Sequence, residues 1–439
     1  MIMATAQQAR PSAPMASPVG LVAALDVGVS KTVCLAARRD PILDMHPDRP
    51  MRVLGVGLQS APAIASGKAA DFDACARAIR VAIDEASFMA GSPLTRVMAS
   101  YGGPGVGSQV ARATIKLKNA RISERDLEAV LNVAANAVSG AGRAVLHVEP
   151  LRYFIDDGDA MPDPVGKPGA TLGVEACIVS APADAIKALR ACVRMAGAEI
   201  EDIIPAPFAS GLSALTDEER DGGALMLDLG AGGVGIAAFA AEGLVYCETM
   251  PSCGVRLTRD LAVKLETSYA AAERVKLTYG AVGGGFDPRE PVQAPKFGAD
   301  GRLEAAVTLR GVIADSMTPR LHGLFMQVRD RLAKAGVVGQ ALPKRCVLVG
   351  GVSQLPGLRE LAGDALGMPV RVGRPFDLCG FDSGETGPGY ATGAGLLRWR
   401  MDHPELADVE ESFQPSLAGA AHAMRSATTR AWDWLRDNF

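Results

Sequence analysis

The chain has 439 residues, 48% hydrophobic and 21% charged, with a formal net charge of −4. That length suits two or more domains, each with a sizeable apolar core. The acidic balance argues against a nucleic-acid binder that works by broad phosphate neutralisation.

Residues 1–18 carry Ala, Gln, Ser and Pro without an apolar core, which predicts a disordered tail rather than a secretory signal. Apolar runs at 21–25 and 32–37 predict two strands around the turn Leu-Asp26-Val-Gly28-Val-Ser30-Lys31. Asp71 is placed to cap a helix over 72–90, with Cys75, Ile79, Ala82, Ile83 and Ala86 on one face and Gly91 as its stop. A short strand over 97–100 precedes the glycine-rich stretch 101–107. The next segment reads as an inserted α+β subdomain. It has a strand near 113–117 and a helix opened by Ser123 and Asp126. Strands near 145–147, 152–155 and 174–179 follow.

A helix over 183–195 leads to a second round of the first pattern. Strands over 224–227 and 234–239 flank Leu-Asp228-Leu-Gly230-Ala-Gly232-Gly233-Val-Gly235, and a third strand covers 244–250. Helices are predicted near 257–266 and 270–279, then a loop-rich stretch over 283–301. A largely helical segment follows over 307–335, with Pro319 near a helix start or a kink. A strand at 346–349 runs into Gly350-Gly351 and Gly357, then a helix over 358–366. The polar stretch 401–426 reads as a linker. None of the eight cysteines forms a C-x-x-C pair, and most lie in apolar runs, as buried free thiols do. No stretch is long and apolar enough for a transmembrane helix.

The two Asp/Gly turns carry the chemistry. Glycines let backbone N–H groups approach phosphate oxygens, and a carboxylate at the bend handles a metal ion and its water. One such turn is ordinary; two at equivalent places predict a phosphate gripped from both sides. Gly350 and Gly351 read either as a plain strand–helix turn or as a floor on which a flat base lies. Glu273 and Lys276 share a helix face, either as a solvated ion pair or as nucleoside contacts.

The C-terminal residues form an amphipathic pattern. Trp432, Trp434, Leu435 and Phe439 fall on one side of a helix, and Arg425, Arg430 and Arg436 on the other. Such a helix either docks on protein or lies in the plane of a membrane, tryptophans at the interface and arginines toward headgroups. The second reading makes a weak anchor, so several tails held together bind better than one.

The duplicated plan resembles the actin/Hsp70/sugar-kinase superfamily: an α/β, actin-like duplicated two-domain fold around a cleft, with an inserted α+β subdomain. The runs Leu146-His-Val-Glu-Pro150, Asp163-Pro-Val-Gly166, Leu215-Thr-Asp-Glu-Glu219 and Ala272-Glu-Arg-Val-Lys276, with the terminal Trp-Leu-Arg-Asp-Asn-Phe, resemble the FtsA family of actin-like division proteins.

That resemblance implies a scaffold that binds ATP and Mg2+, polymerises with itself, and tethers FtsZ polymers to the cytoplasmic face of the inner membrane at the division site. Other division proteins are implied as partners. Nucleotide would meet Asp26, Gly28, Ser30 and Lys31 on one side and Asp228, Gly230, Gly232 and Gly233 on the other. Glu273, Lys276, Gly350 and Gly351 would surround the nucleoside, and Asp26 and Asp228 would hold the metal through water. Trp432, Trp434, Leu435, Phe439, Arg430 and Arg436 would meet lipid. Arg310 and Arg320 match basic positions where the family receives the FtsZ C-terminal peptide, although Arg310 also reads as an ordinary surface arginine.

The implied division is a first half at 19–98 and 182–215, an insert at 99–181, and a second half at 216–254 and 321–400. A partner-binding subdomain lies at 255–320, a linker at 401–426 and the membrane helix at 427–439. Superfamily members place threonine after the first glycine and Gly-Gly-Gly-Thr-x-Asp in the second loop. Val29, Val234 and Gly235 stand there instead, which predicts binding with slow or absent hydrolysis. The alternative, a small-molecule kinase or chaperone-like ATPase, needs a carboxylate base beside a substrate pocket or a C-terminal peptide-binding domain. The sequence offers no obvious candidate for either.

Overall fold

The computed structural model describes residues 20–39, 51–60, 72–140, 142–337, 343–376, 378–380 and 387–403. The expected N-terminal tail, Asp71, most of the linker and the whole amphipathic terminus, including Arg430, Trp432, Trp434, Leu435, Arg436 and Phe439, lie outside these residues.

The chain opens with β1 (Leu21–Val27), β2 (Thr32–Arg39) and β3 (Met51–Gln59), then α1 (Phe72–Ala90) and β4 (Arg96–Tyr101). The insert follows as β5 (Gly107–Lys116), α2 (Glu124–Val138), β6 (Arg143–Ile155) and β7 (Thr171–Pro182). The chain returns through α3 (Ala183–Met195), β8 (Glu199–Pro205), α4 (Ala206–Ala214) and the short α5 (Asp217–Asp221). The second round is β9 (Ala224–Leu229), β10 (Gly233–Ala240), β11 (Gly243–Pro251), α6 (Gly254–Lys264) and α7 (Tyr269–Tyr279). Four short strands come next: β12 (Pro291–Gln293), β13 (Lys296–Phe297), β14 (Leu303–Glu304) and β15 (Val307–Leu309). The chain then forms α8 (Arg310–Lys334), β16 (Arg345–Val349), α9 (Leu358–Leu366), β17 (Val370–Val372), β18 (Leu378–Cys379) and α10 (Ala391–Asp402).

Two sheets organise these elements. The first runs β18-β3-β2-β1-β4-β8, and the second runs β17-β16-β9-β10-β11-β5-β7-β6. The same local plan is used twice. β1 and β2 form an antiparallel hairpin with β4 parallel to β1, and β9 and β10 repeat it with β16 parallel to β9. One core extends from Leu25, Leu35 and Ile79 through α4 and α10 to Met226, Phe239 and Val347 of the second sheet. A second core gathers Leu227, Ile236, Leu257, Phe325 and Leu358. The insert has its own core around Leu127, Leu131, Tyr153, Leu172 and Ile178. Its sheet joins that of the second half through a single residue pair, Gly107 with Glu248.

Several local expectations are corrected. The two strands expected near 145–147 and 152–155 are one strand, β6, with irregular register beside Val145 and Pro150. Proline is tolerated there because β6 is an edge strand. Pro319 lies inside α8, and the helix starts at Arg310 because residues 307–309 pair as β15 with β12. The stretch 283–301 holds β12 and β13 rather than loop alone. Residues 99–101 belong to β4, in the first sheet. The end of the expected second half also returns to the first sheet. β18 pairs with β3, and α10 packs on α4 and β1. The reason is compositional: residues 391–397 of α10 are buried, so the helix needs cover on all sides.

Candidate functional site

Both Asp/Gly turns close with the same backbone hydrogen bond. Gly28 N donates to the Lys31 carbonyl at 2.9 Å, and Gly230 N donates to the Gly233 carbonyl at 3.0 Å. Each aspartate sits at the last rungs of its strand, Asp26 opposite Val33 and Asp228 opposite Gly235. The turns face each other across a cleft of about 590 Å³. Asp26, Gly28, Ser30, Lys31, Asp228, Gly230, Gly232, Gly233, Glu273, Lys276, Gly350 and Gly351 all line this cleft. Fold topology thus brings together residues that span more than 300 positions of the sequence.

The loops approach closely enough to require glycine. A Cβ on Gly232 would lie 2.2 Å from Val29 Cγ2, so the valine of the first turn occupies the space a side chain at 232 would need. Gly350 has φ +83°, and a Cβ there would meet Asp228 Oδ1 at 2.5 Å. The second loop is further fixed from α6, where Gly254 N donates to the Gly230 carbonyl at 3.1 Å and Val255 N to the Ala231 carbonyl at 2.8 Å.

Hydroxyls from distant elements orient the two carboxylates. Ser100 Oγ, at the end of β4, donates to Asp26 Oδ1 at 2.6 Å. Ser210 Oγ on α4 and Thr392 Oγ1 on α10 donate to Asp228 Oδ2 at 2.9 and 3.1 Å, and the two hydroxyls lie 3.0 Å apart. Burial pushes both carboxyls above the usual aspartate range. At Asp26 burial outweighs the Ser100 bond and the charge of Lys31. At Asp228 the charge of Asp26 adds to burial, against Ser210, Thr392 and Lys31. Burial lowers the Lys31 ammonium in turn, opposed by the attraction of both aspartates.

Lys31 Nζ donates to the Gly389 carbonyl at 2.8 Å and lies 4.6 Å from the centre of the Tyr390 ring. Gly350 N donates to the adjacent Pro388 carbonyl at 3.0 Å. The 388–389 turn therefore bridges the loops of both halves. Ser100, Ser210, Thr392 and Gly389 were not legible as site residues. Each enters through a tertiary contact, and nothing in its local sequence marks it.

On the second half, Lys276 Nζ is 2.8 Å from Glu273 Oε2 and donates to Thr258 Oγ1 at 2.8 Å. Lys276 is buried, so this is not a solvated surface pair. Leu277, 74% exposed, lies with Val352, Leu355 and Pro356 along the same end of the cleft. These residues make an apolar slot beside the Glu273–Lys276 pair, next to the glycine floor at 350–351.

Arg310 and Arg320 lie on α8, outside the cleft. Arg310 bonds Glu290 at 2.8 Å and the Tyr279 carbonyl at 3.1 Å, while Arg320 bonds Asp260 at 2.8 Å. Both guanidinium groups are engaged within their own subdomain. No helix among the described residues is long and apolar enough to cross a membrane.

The family model described as "Cell division protein FtsA" matches residues 225–395, and that described as "SHS2 domain inserted in FTSA" matches residues 103–180. The chain is 33% identical over 427 residues to the cell division protein FtsA of Rhizobium meliloti (strain 1021), covering 95% of each chain. It is 28% identical over 424 residues to that of Pseudomonas aeruginosa, covering 95% of this chain and 98% of the relative. Among solved structures, the PilM–PilN type IV pilus biogenesis complex aligns with a TM-score of 0.61 at 19% identity, over 86% of this chain and 97% of that chain. The fold is actin-like, with an SHS2 unit inserted between β4 and α3.

Proposed function

The chain belongs to the FtsA family of cell-division proteins, and from that premise we propose a nucleotide-dependent clamp that polymerises and holds FtsZ polymers to the inner membrane. The observation that carries this reading is the pair of matched turns closing on one cleft, with Lys31 and two half-buried aspartates between them.

The residues present fit a magnesium nucleoside triphosphate. The glycines at 28, 230, 232 and 350 let the turns fold tightly around the cleft and present backbone to it, and Lys31 supplies the positive charge. The metal ion, when bound, neutralises phosphate charge between the halves. Asp26 and Asp228 would hold it through water, each oriented by its hydroxyl partners. The apolar slot at Leu277 and Leu355 suits a flat base, and the Glu273–Lys276 pair suits ribose hydroxyls. Val29 stands between the turns without offering a side-chain hydrogen bond, so it neither donates to a phosphate nor positions an attacking water. Binding with slow turnover follows, and the product of binding is a closed subunit able to stack.

The amphipathic terminus, with Trp432 and Trp434, would anchor the polymer, and the subdomain bearing Arg310 and Arg320 would receive the FtsZ peptide. Co-sedimentation with vesicles tests the reading, with and without ATP, for the full chain and for one lacking residues 428–439. ATP should strengthen binding of the full chain, and the deletion should abolish it. Equal vesicle binding by both chains would overturn the tether.

A further inference from the structure

The cleft occupies one end of the first sheet, at the C-terminal ends of β1 and β4. The opposite end gathers the starts of the parallel strands β1, β4 and β8, with Arg96 opposite Glu199 in the last pair. α1 and α3 run back along the sheet, so their C-termini lie at this opposite end too. There the surface is unusually apolar for a free face. Phe88 is 87% exposed, Met89 59% and Met195 47%. Arg80 Nη2, in the middle of α1, donates to the Met195 carbonyl at 2.5 Å, which fixes the end of α3 against α1. Arg38 and Arg39, at the end of β2, are exposed at the same end of the sheet, and the exposed acids closest in sequence to Phe88 are Asp84 and Glu85 on α1.

The chain also leaves the body here. Arg400, in the last turn of α10, pairs with Glu201 at 2.6 Å, and Arg96 pairs with the same carboxylate at 3.4 Å. The described chain therefore ends, one turn after Arg400, near Arg96 and the starts of β4 and β8.

We propose that this end of the first sheet, centred on Phe88 and Met89, is a second lipid-contacting surface that rests flat on an anionic membrane. It builds on the reading of the terminus as a membrane helix. Exposed apolar side chains with arginines at the same end of the sheet suit a body that dips into the headgroup region, with apolar groups inward and guanidinium groups on phosphate. The described chain ends at the same end of the sheet, so tail and body engage one membrane together, each raising the effective concentration of the other. Two contacts also fix orientation. The cleft then points away from the lipid, and every subunit in an array faces the same way.

The test uses the full chain and vesicles of mixed phosphatidylglycerol and phosphatidylcholine, or of phosphatidylcholine alone. The double variant Phe88→Ser/Met89→Ser should bind mixed vesicles roughly tenfold more weakly. Arg38→Gln/Arg39→Gln should weaken binding on the mixed vesicles and not on phosphatidylcholine. An environment-sensitive fluorophore on Phe88→Cys should shift to the blue when vesicles are added. Seven of the eight native cysteines are buried and the eighth half-buried, so labelling favours the new site. Unchanged affinity in both double variants, with no spectral shift, would overturn the surface and leave the tail tether standing. Loss of self-association without a spectral shift would make the face a contact between copies and overturn the lipid assignment. Failure of the wild-type chain to bind any vesicle would overturn both readings.

Discussion

Lys31 and Gly389 are 358 positions apart, yet the lysine ammonium donates to the glycine carbonyl at 2.8 Å. The contact joins the first phosphate-type turn to the segment that opens α10. The same ammonium is attracted by both half-buried aspartates, Asp26 and Asp228. A phosphate in the cleft would offer Lys31 a charged acceptor in addition to this neutral carbonyl. A charged acceptor is the stronger partner, worth about 1.5–3 kcal/mol. Lys31→Met should weaken binding of a fluorescent ATP analogue by roughly ten- to a hundredfold. Titration of the analogue measures it, and an unchanged affinity would remove Lys31 from the site.

Val29 and Gly232 make a steric pair across the cleft. Gly232→Ala would drive a methyl into the Val29 side chain, whose nearest atom lies 2.2 Å from the new Cβ. Overpacking of this kind costs about 1–3 kcal/mol. The single variant should unfold at lower urea concentration and bind nucleotide poorly. Val29→Ala in the same chain should recover most of the loss, because only the Val29 Cβ, at 3.1 Å, then remains close. A double variant no better than Gly232→Ala alone would place the strain elsewhere.

Ser210 and Thr392 both donate to Asp228 Oδ2, and their hydroxyl oxygens lie 3.0 Å apart. Ser210→Ala or Thr392→Val removes one of the donors that oppose the effect of burial on Asp228. Each should cost about 1 kcal/mol of stability. The two losses should not add, because the hydroxyls also contact each other. A double-mutant cycle by chemical denaturation measures the coupling, and strict additivity would mean the hydroxyls act independently.

Asp202 on β8 gives a pH prediction. Burial pushes its carboxyl up to about 6 from the ordinary 3.8, against the pull of the Ile203 amide and Arg190. Below the ordinary value both folded and unfolded chains hold the proton, and the contribution to stability is complete. As pH rises toward 6 the unfolded chain ionises first, so stability falls, and above 6 the loss is constant. The size is on the order of 2–3 kcal/mol. Asp202→Asn should therefore be more stable than the wild type at neutral pH and closely matched to it near pH 4. Urea midpoints across that range measure the difference, and a pH-independent difference would contradict the buried carboxyl.

The duplicated plan was legible because its signal is local. Asp26 with Gly28 and Asp228 with Gly230 each end an apolar run, and glycine at a bend has few alternative readings. Helices with a clear apolar stripe were equally plain; the Cys75–Ile79–Ala82–Ile83–Ala86 face of α1 is buried as its spacing implies. What stayed hidden is set at long range. α4 and α10 are apolar around most of their circumference, so they show little helical periodicity, and both were missed. With them went Ser210 and Thr392. The strands expected near 145–147 and 152–155 are one strand, and its place at the sheet edge, which makes Pro150 tolerable, is a tertiary fact. Arg310 was legible as a basic residue, but its bond to Glu290 depends on a loop whose path the sequence does not announce.

The core that threads from the first sheet through α4 and α10 into the second has a mechanical consequence. A gap between separately packed bodies opens like a book, about a few loop residues. Here the buried side chains of Phe208, Leu397, Met226 and Val347 form one continuous packing, so the halves are laminated rather than hinged. Such a joint moves by shear, through small sliding displacements of α4 and α10 against the sheets. A change at Asp228 is felt directly by those two helices through Ser210 and Thr392, and α10 carries it to the end of the described chain.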